Sequence, residues 1–241
     1  MNIRILNADS NRGKLKKEEL AISISHGIAL LGLLVGTPFL IIDALRRGDI
    51  GYMVGACIFS ATAILLYLSS TIYHALSLGR AKRIFRIIDH AAIFLLIAGT
   101  YTPFTLGVLK GALGWTLFAL IWFLAFIGVM LKTFQRLNHP VLSTGLYLLM
   151  GWLIVFALEP MLASVPMAGI LWLLATGYWL LATGYWLLAT GYWLLAGGLS
   201  YTLGVVFFAT DSHLLYGHLL WHLFVMGGTT CHFFAIFWYA Y

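Results

Sequence analysis

The chain has 241 residues, of which 62% are hydrophobic and only 9% charged, with a mean hydropathy of +0.96. Such a composition excludes a soluble globule, a secreted disulfide scaffold and a nucleic-acid binder. The net charge of +6 does not argue otherwise, because all 14 basic residues fall within the first 136 positions, where they punctuate apolar stretches. The sequence is that of a polytopic all-α membrane protein, since lipid offers the backbone no hydrogen-bond partners and a bundle of helices satisfies its own.

Residues 1–21 form a polar tail, MNIRILNADSNRGKLKKEELA, expected on the cytoplasmic side. The apolar run that follows is too long for a signal-peptide core, and no cleaved signal is expected. Spans of about 20 apolar residues are placed at 22–44, 51–78, 89–109, 112–131 and 141–158, with a last span at 216–241. Short turns such as RRGD and GRAKRIF separate them. Cys57 and Cys231 lie inside apolar segments and read as packing residues rather than as a disulfide.

Lys and Arg number five in the tail, two after the first span, four after the second, one after the third and two after the fourth. With the N-terminus inside, 11 of them are cytoplasmic and three are not, as the positive-inside rule requires.

Residues 161–210 contain no charged side chain before Asp211, a stretch too long for one ordinary span and barely long enough for two. The heptapeptide LLATGYW occupies 173–179, 180–186 and 187–193 and begins again as LLAG, giving an expansion over 173–197. As a helix it would stack Gly177, Gly184 and Gly191 in a stripe of small residues that another helix can approach closely. Its Tyr-Trp pairs recur every ~10 Å along a helix, so they cannot all sit at a headgroup level. The repeat reads as a recent tandem expansion within a sixth span, giving seven transmembrane helices over a single domain at 22–241.

Ionisable groups inside spans are costly and mark functional sites by default. Ser70 and His74 form S-x-x-x-H on one face near the end of the second span; Asp89 and His90 open the third; His218 and His222 open the last, one turn apart. With six preceding spans, His74, Asp89, His218 and His222 all fall at one depth near the inner leaflet. Three imidazoles with an open fourth position are the donor set of a catalytic zinc site. The other reading, in which these histidines only hydrogen-bond neighbouring helices, stays open at this point. His26, His90 and His232 read as structural hydrogen-bonding residues, His139 and His213 as solvated loop residues, and Glu159 as a span terminus. An eighth span made by the repeat would carry His218 and His222 to the opposite leaflet, ~30 Å from His74, and destroy the cluster.

The strings SISHGIALLG, SSTIYHALS, DHAAIFLLIAGTYTPF, MGWLIV, LSYTLGVVFF and HLLWHLFVMGGTTCHFFAI resemble the bacterial hemolysin III proteins and, through them, the progestin and adiponectin receptors. The resemblance covers nearly the whole chain apart from the first residues and the repeat, with motif order and spacing in agreement. It implies a seven-helix bundle in the bacterial inner (plasma) membrane, with a cytoplasmic N-terminus and a Zn ion held by His74, His218 and His222. It further implies that Asp89 and Ser70 hold the attacking water and the substrate carbonyl. The heptad expansion is the departure from the family pattern.

These readings lead to a zinc-dependent, ceramidase-like hydrolase of a membrane lipid, with an amide or ester substrate and Asp89 and Ser70 as catalytic residues. Two alternatives are weighed against it. One is a non-enzymatic membrane-homeostasis or sensor protein with structural zinc, whose KLKKEEL segment docks a partner or anionic lipid. The other is a cytolysin, which fits poorly with the absence of an amphipathic pore hairpin and with a topology fixed by basic loops. Gly32 and Gly36 form a G-x-x-x-G that would suit a homo-oligomer, although the motif is common in spans.

Overall fold

The computed structural model describes residues 2–109, 111–134, 140–153, 179–210, 214 and 216–239. Among these the chain is all helical: α1 (Asn2–Arg47), α2 (Ile50–Ala75), α3 (Arg80–Pro103) running into a π-helical turn (Phe104–Val108), α4 (Ala112–Thr133), α5 (Pro140–Trp152), α6 (Trp179–Thr210) and α7 (Gly217–Tyr239). Five helical segments, Lys16–Arg47, Ile50–Ala75, Arg80–Val108, Ala112–Thr133 and Gly217–Trp238, are long and apolar enough to cross a membrane. The chain is a polytopic helical membrane protein.

Two helices begin earlier than hydropathy alone indicates. The tail expected at 1–21 is helical from Asn2 and continuous with the first span; its KLKKEEL stretch is built of strong helix formers and contains no proline. The third helix starts at Arg80 rather than Asp89, because the basic, amphipathic RAKRIFRI stretch is too polar to register as a span yet has a helical pattern. Asp89 therefore sits in the third turn of α3, not at its start. The latter part of the fifth span, His139 and His213, which were expected in loops, and Glu159 lie outside the described residues.

Helix α2 opens on Asp49, whose Oδ1 accepts from the Tyr52 backbone N–H at 2.9 Å, an N-cap that follows a turn at Gly48 with φ +71°. It runs antiparallel to α3 at close range. A Cβ at Gly55 would collide with the backbone of Pro103, and one at Gly99 with the Thr62 side chain. Pro103 ends the regular α3 ladder, and the π turn at Phe104–Val108 follows it.

The polarity of the last two helices follows from their contacts. Trp193 packs on Trp238, Tyr201 on His232, Phe207 on Phe224 and Phe208 on His218, so α6 and α7 form an antiparallel pair. Tyr52 at the start of α2 donates to the Ile236 carbonyl near the end of α7, at 3.2 Å, while the other ends of the same helices bring His74 next to His222. Helix α7 therefore begins at the membrane level where α2 ends. The expansion has not displaced the last helix to the wrong side. Residues 179–193 of the repeat are helical and continuous with the rest of α6, whose 32 residues extend ~48 Å, well beyond a ~30 Å hydrocarbon core. The first copy up to residue 178, with Gly177, lies outside the described residues.

One hydrophobic core joins α1, α2, α3 and α7 around Leu40, Tyr52, Phe59, Ala63 and Ile236. A second joins α3, α4 and α5 around Phe94, Ala98, Ile121 and Met150. Ile28, Val35, Phe39, Phe123 and Phe126 point outward, as side chains facing lipid do. Gly36 of the G-x-x-x-G pair lies against Phe233 of its own chain, whereas Gly32 faces open space. Cys57 and Cys231 are both free thiols.

Candidate metal centre

The buried polar groups gather at the end of the bundle where α2 finishes and α7 starts. Ser70 and His74 occupy the last turns of α2, Asp89 the third turn of α3, and His218 and His222 the first two turns of α7. The four-residue spacing on α2 and on α7 sets each pair on one helix face. The antiparallel packing then turns those faces toward one another.

The three imidazoles of His74, His218 and His222 form the metal-competent group among the described residues, each offering one nitrogen within 4.8 Å of the others. Their ring centroids are separated by 5.0 Å for His74 and His222, 4.7 Å for His218 and His222, and 5.6 Å for His74 and His218. His74 and His222 are buried, at 4% and 6% exposure. Nε2 of His74 and Nε2 of His222 are both buried without a hydrogen-bond partner. An unsatisfied buried nitrogen costs about 1–3 kcal/mol, and finding two of them in one cluster is what a lone pair reserved for a cation looks like. Three nitrogen donors gathered in one cluster are a set that could hold a metal ion.

Asp89 and Ser70 are buried, at 6% and 0% exposure, and Ser70 stands one turn before His74 on α2. The Ser70 hydroxyl faces the Asp89 carboxyl but makes no hydrogen bond of full geometry, which leaves it available to another acceptor. Asp89 is not part of the nitrogen group. His90, next to it, accounts for itself structurally: its Nδ1 meets the Arg86 carbonyl at 2.7 Å, and its own carbonyl accepts from the Tyr147 hydroxyl at 2.9 Å. His232 similarly faces the Leu194 carbonyl at 3.4 Å.

Three residues of α1 reach the cluster unannounced by the spacing of the other motifs. Glu19 Oε2 lies 3.2 Å from His74 Nδ1 and 2.6 Å from Lys82 Nζ. Glu18 Oε1 accepts from the Leu219 backbone N–H, at 3.4 Å, in the first turn of α7. His26, expected to make a structural hydrogen bond, makes one with the cluster itself, its Nε2 standing 2.9 Å from His222 Nδ1. The signal that the sequence does carry is the acidic pair just ahead of the first span, with Glu19 seven residues before His26 and so on the same helix face.

An apolar cavity of about 160 Å³ opens between α3, α5, α6 and α7. Trp221 and Val225, on either side of His222 along α7, line it together with Leu96, Leu148, Leu199 and Tyr201.

Comparison with known proteins gives this arrangement its context. The family model described as "Haemolysin-III related" matches residues 14–192. The chain is 40% identical over 224 residues to "Hemolysin-3 homolog" of Bacillus subtilis (strain 168), covering 93% of this chain and 95% of the relative. It is 40% identical over the same length to "Hemolysin-3" of Bacillus cereus, covering 92% of that protein. At 27% identity over 233 residues it also matches the "Monocyte to macrophage differentiation factor" of Homo sapiens, of which it covers 85%. The family match, the relatives spanning nearly the full chain and the helical bundle agree: this chain belongs to the haemolysin III-related family.

Proposed function

We propose that the protein is a zinc-dependent hydrolase of a lipid amide or ester, working at the inner leaflet of a bacterial plasma membrane. The observation that carries this reading is the buried triad of His74, His218 and His222 with Nε2 of His74 and of His222 unpartnered. These three residues would hold the ion, which when bound supplies Lewis acidity toward a carbonyl and hydroxide at neutral pH.

The remaining chemistry belongs to the chain's own side chains. The Asp89 carboxylate accepts the proton of the attacking water and returns it to the departing amine or alkoxide, as a general base and then acid. The Ser70 hydroxyl, which has no full hydrogen bond of its own, donates to the substrate carbonyl oxygen or the leaving group. The apolar cavity that Trp221 and Val225 of α7 line takes a hydrocarbon tail, so the acyl chain need not leave the bilayer. The test is hydrolysis by purified, metal-replete protein of a panel of ceramides, acyl amides and phospholipids. Turnover of any class that Asp89→Ala abolishes supports the reading, and no turnover across the panel sinks it.

A second reading has one observation in its favour. Glu18 and Glu19 belong to the KLKKEEL segment and touch α7 and His74 directly, so the cytoplasmic part of α1 is mechanically coupled to the metal centre, as a sensor would require. Full rescue of a deletion phenotype by Asp89→Ala protein that retains its metal would select this reading over catalysis.

A further inference from the structure

A neutral imidazole carries one N–H and one lone pair, and only the lone pair ligates a metal. Which nitrogen holds the proton is set by the hydrogen bond that the other face of the ring makes. At this centre both of the bonds that decide the matter come from α1. Glu19 and His26 are seven residues apart, two helical turns, and so lie on one face of that helix.

Glu19 is a carboxylate and can only accept, so at 3.2 Å it requires the proton of His74 on Nδ1. That leaves the lone pair on Nε2, the nitrogen that is buried without a partner. Glu19 is itself held in place by Lys82 at 2.6 Å, and Lys82 lies 4.9 Å above the Tyr73 ring centre. At His222 the same division appears: Nδ1 stands 2.9 Å from His26 Nε2, and Nε2 is the unpartnered nitrogen. If His222 donates, its lone pair sits on Nε2, beside His74. The reverse assignment would aim an N–H into the cluster. His26 is 1% exposed, and its ring is fixed edge-on to Tyr67 at 5.0 Å, so its acceptor nitrogen has a defined position.

We propose that α1 supplies the outer shell of the metal centre, Glu19 fixing His74 and His26 fixing His222 as Nδ1–H tautomers that ligate through Nε2. This rests on the metal-centre reading above. Neither residue touches the reacting atoms; both are positioning residues. A face of the first helix thereby determines the ligand geometry of two helices, one of them at the far end of the chain.

The test uses the full-length chain in detergent with zinc as the probe, its affinity read by competition against a chromophoric chelator. Removing an outer-shell partner typically weakens metal binding about 10–100-fold, and that loss is expected for Glu19→Ala and for His26→Leu, with one zinc per chain retained at saturation. Glu19→Gln and His26→Gln keep an acceptor in place and are expected to recover most of the affinity. Wild-type affinity in Glu19→Ala and His26→Leu, or an equal loss in the glutamine variants, overturns the inference while leaving the metal centre intact. ¹⁵N-histidine spectra of the zinc-loaded wild type decide the question independently of how any variant folds. Nδ1–H on His74 and on His222 is expected, and zinc on Nδ1 of either overturns it. A wild-type chain that takes up no zinc overturns the metal reading and this inference together.

Discussion

The rings of His74 and His222 meet edge to face, at an interplanar angle of 84° and a centroid distance of 5.0 Å, although one lies at the end of its helix and the other near the start of a helix running the opposite way. Neither helix holds a metal alone. The first expectation is therefore one zinc per chain by elemental analysis of purified protein, lost in a His218→Ala, His222→Ala double variant. Because the ion binds the folded chain, stripping it with a chelator lowers the thermal midpoint, and by mass action saturation at 100 Kd corresponds to ~2.7 kcal/mol. An unchanged midpoint on chelation, with no metal found beforehand, would show that the histidines only pack.

Asp89 separates metal binding from chemistry. It lies beside Ser70 and outside the nitrogen group, so Asp89→Ala is expected to keep the zinc and lose about 10²–10⁴-fold in hydrolysis, the scale of a general acid–base group. Ser70→Ala, which removes a hydrogen-bond donor and leaves the base, is expected to lose less. Loss of zinc in Asp89→Ala would assign the carboxylate to the ligand set instead.

The repeat can be shortened without touching the centre. The contacts of α6 with α7 that carry polarity fall at residues 193–208. Deleting residues 180–193 removes two heptads, places Trp179 in the position of Trp193, and turns the helix by only ~40° against its original phase. The deleted protein is expected to bind zinc with the stoichiometry of the full chain. Failure to bind would mean that the extra turns hold α7 at its level.

Two glycines give opposite expectations. A methyl at Gly55 would strike the Pro103 backbone, whereas Gly32 has nothing within 4 Å. Gly55→Ala is expected to cost about 1–3 kcal/mol through overpacking and to lower the thermal midpoint. Gly32→Ala is expected to be neutral or to stabilise the helix by about 0.5–1 kcal/mol. If Gly32→Ala dissociates an oligomer seen by light scattering, that face pairs with a second copy.

Much of the fold was legible in the sequence because hydropathy and helical spacing are local properties. The spans at α2, α4 and α7 and the S-x-x-x-H and H-x-x-x-H faces depend on neighbours no more than four residues apart, and the basic loops order the helices. The early start of α3 was hidden because a basic, amphipathic helical turn scores as a loop on a scale that measures transfer to lipid. The parts played by Glu19 and His26 were hidden for a different reason: their partners lie 55 and 196 residues away, and no local pattern specifies which face of α1 turns inward. The continuity of α6 through residues 179–193 of the repeat was undecided by composition, since identical heptads satisfy a helix of any length.

The helices α2 and α7, whose ends carry His74, His218 and His222, are separated in synthesis by every helix between them. A ribosome that has delivered α2 to the membrane has supplied one imidazole and must still make every later helix before the other two exist. The cluster is thus a record of completed assembly: a chain that stalls, or that inserts α7 the wrong way round, never gathers its three nitrogens. An ion seated there would tie the newest helix to one of the oldest, closing the bundle as a clasp closes a ring.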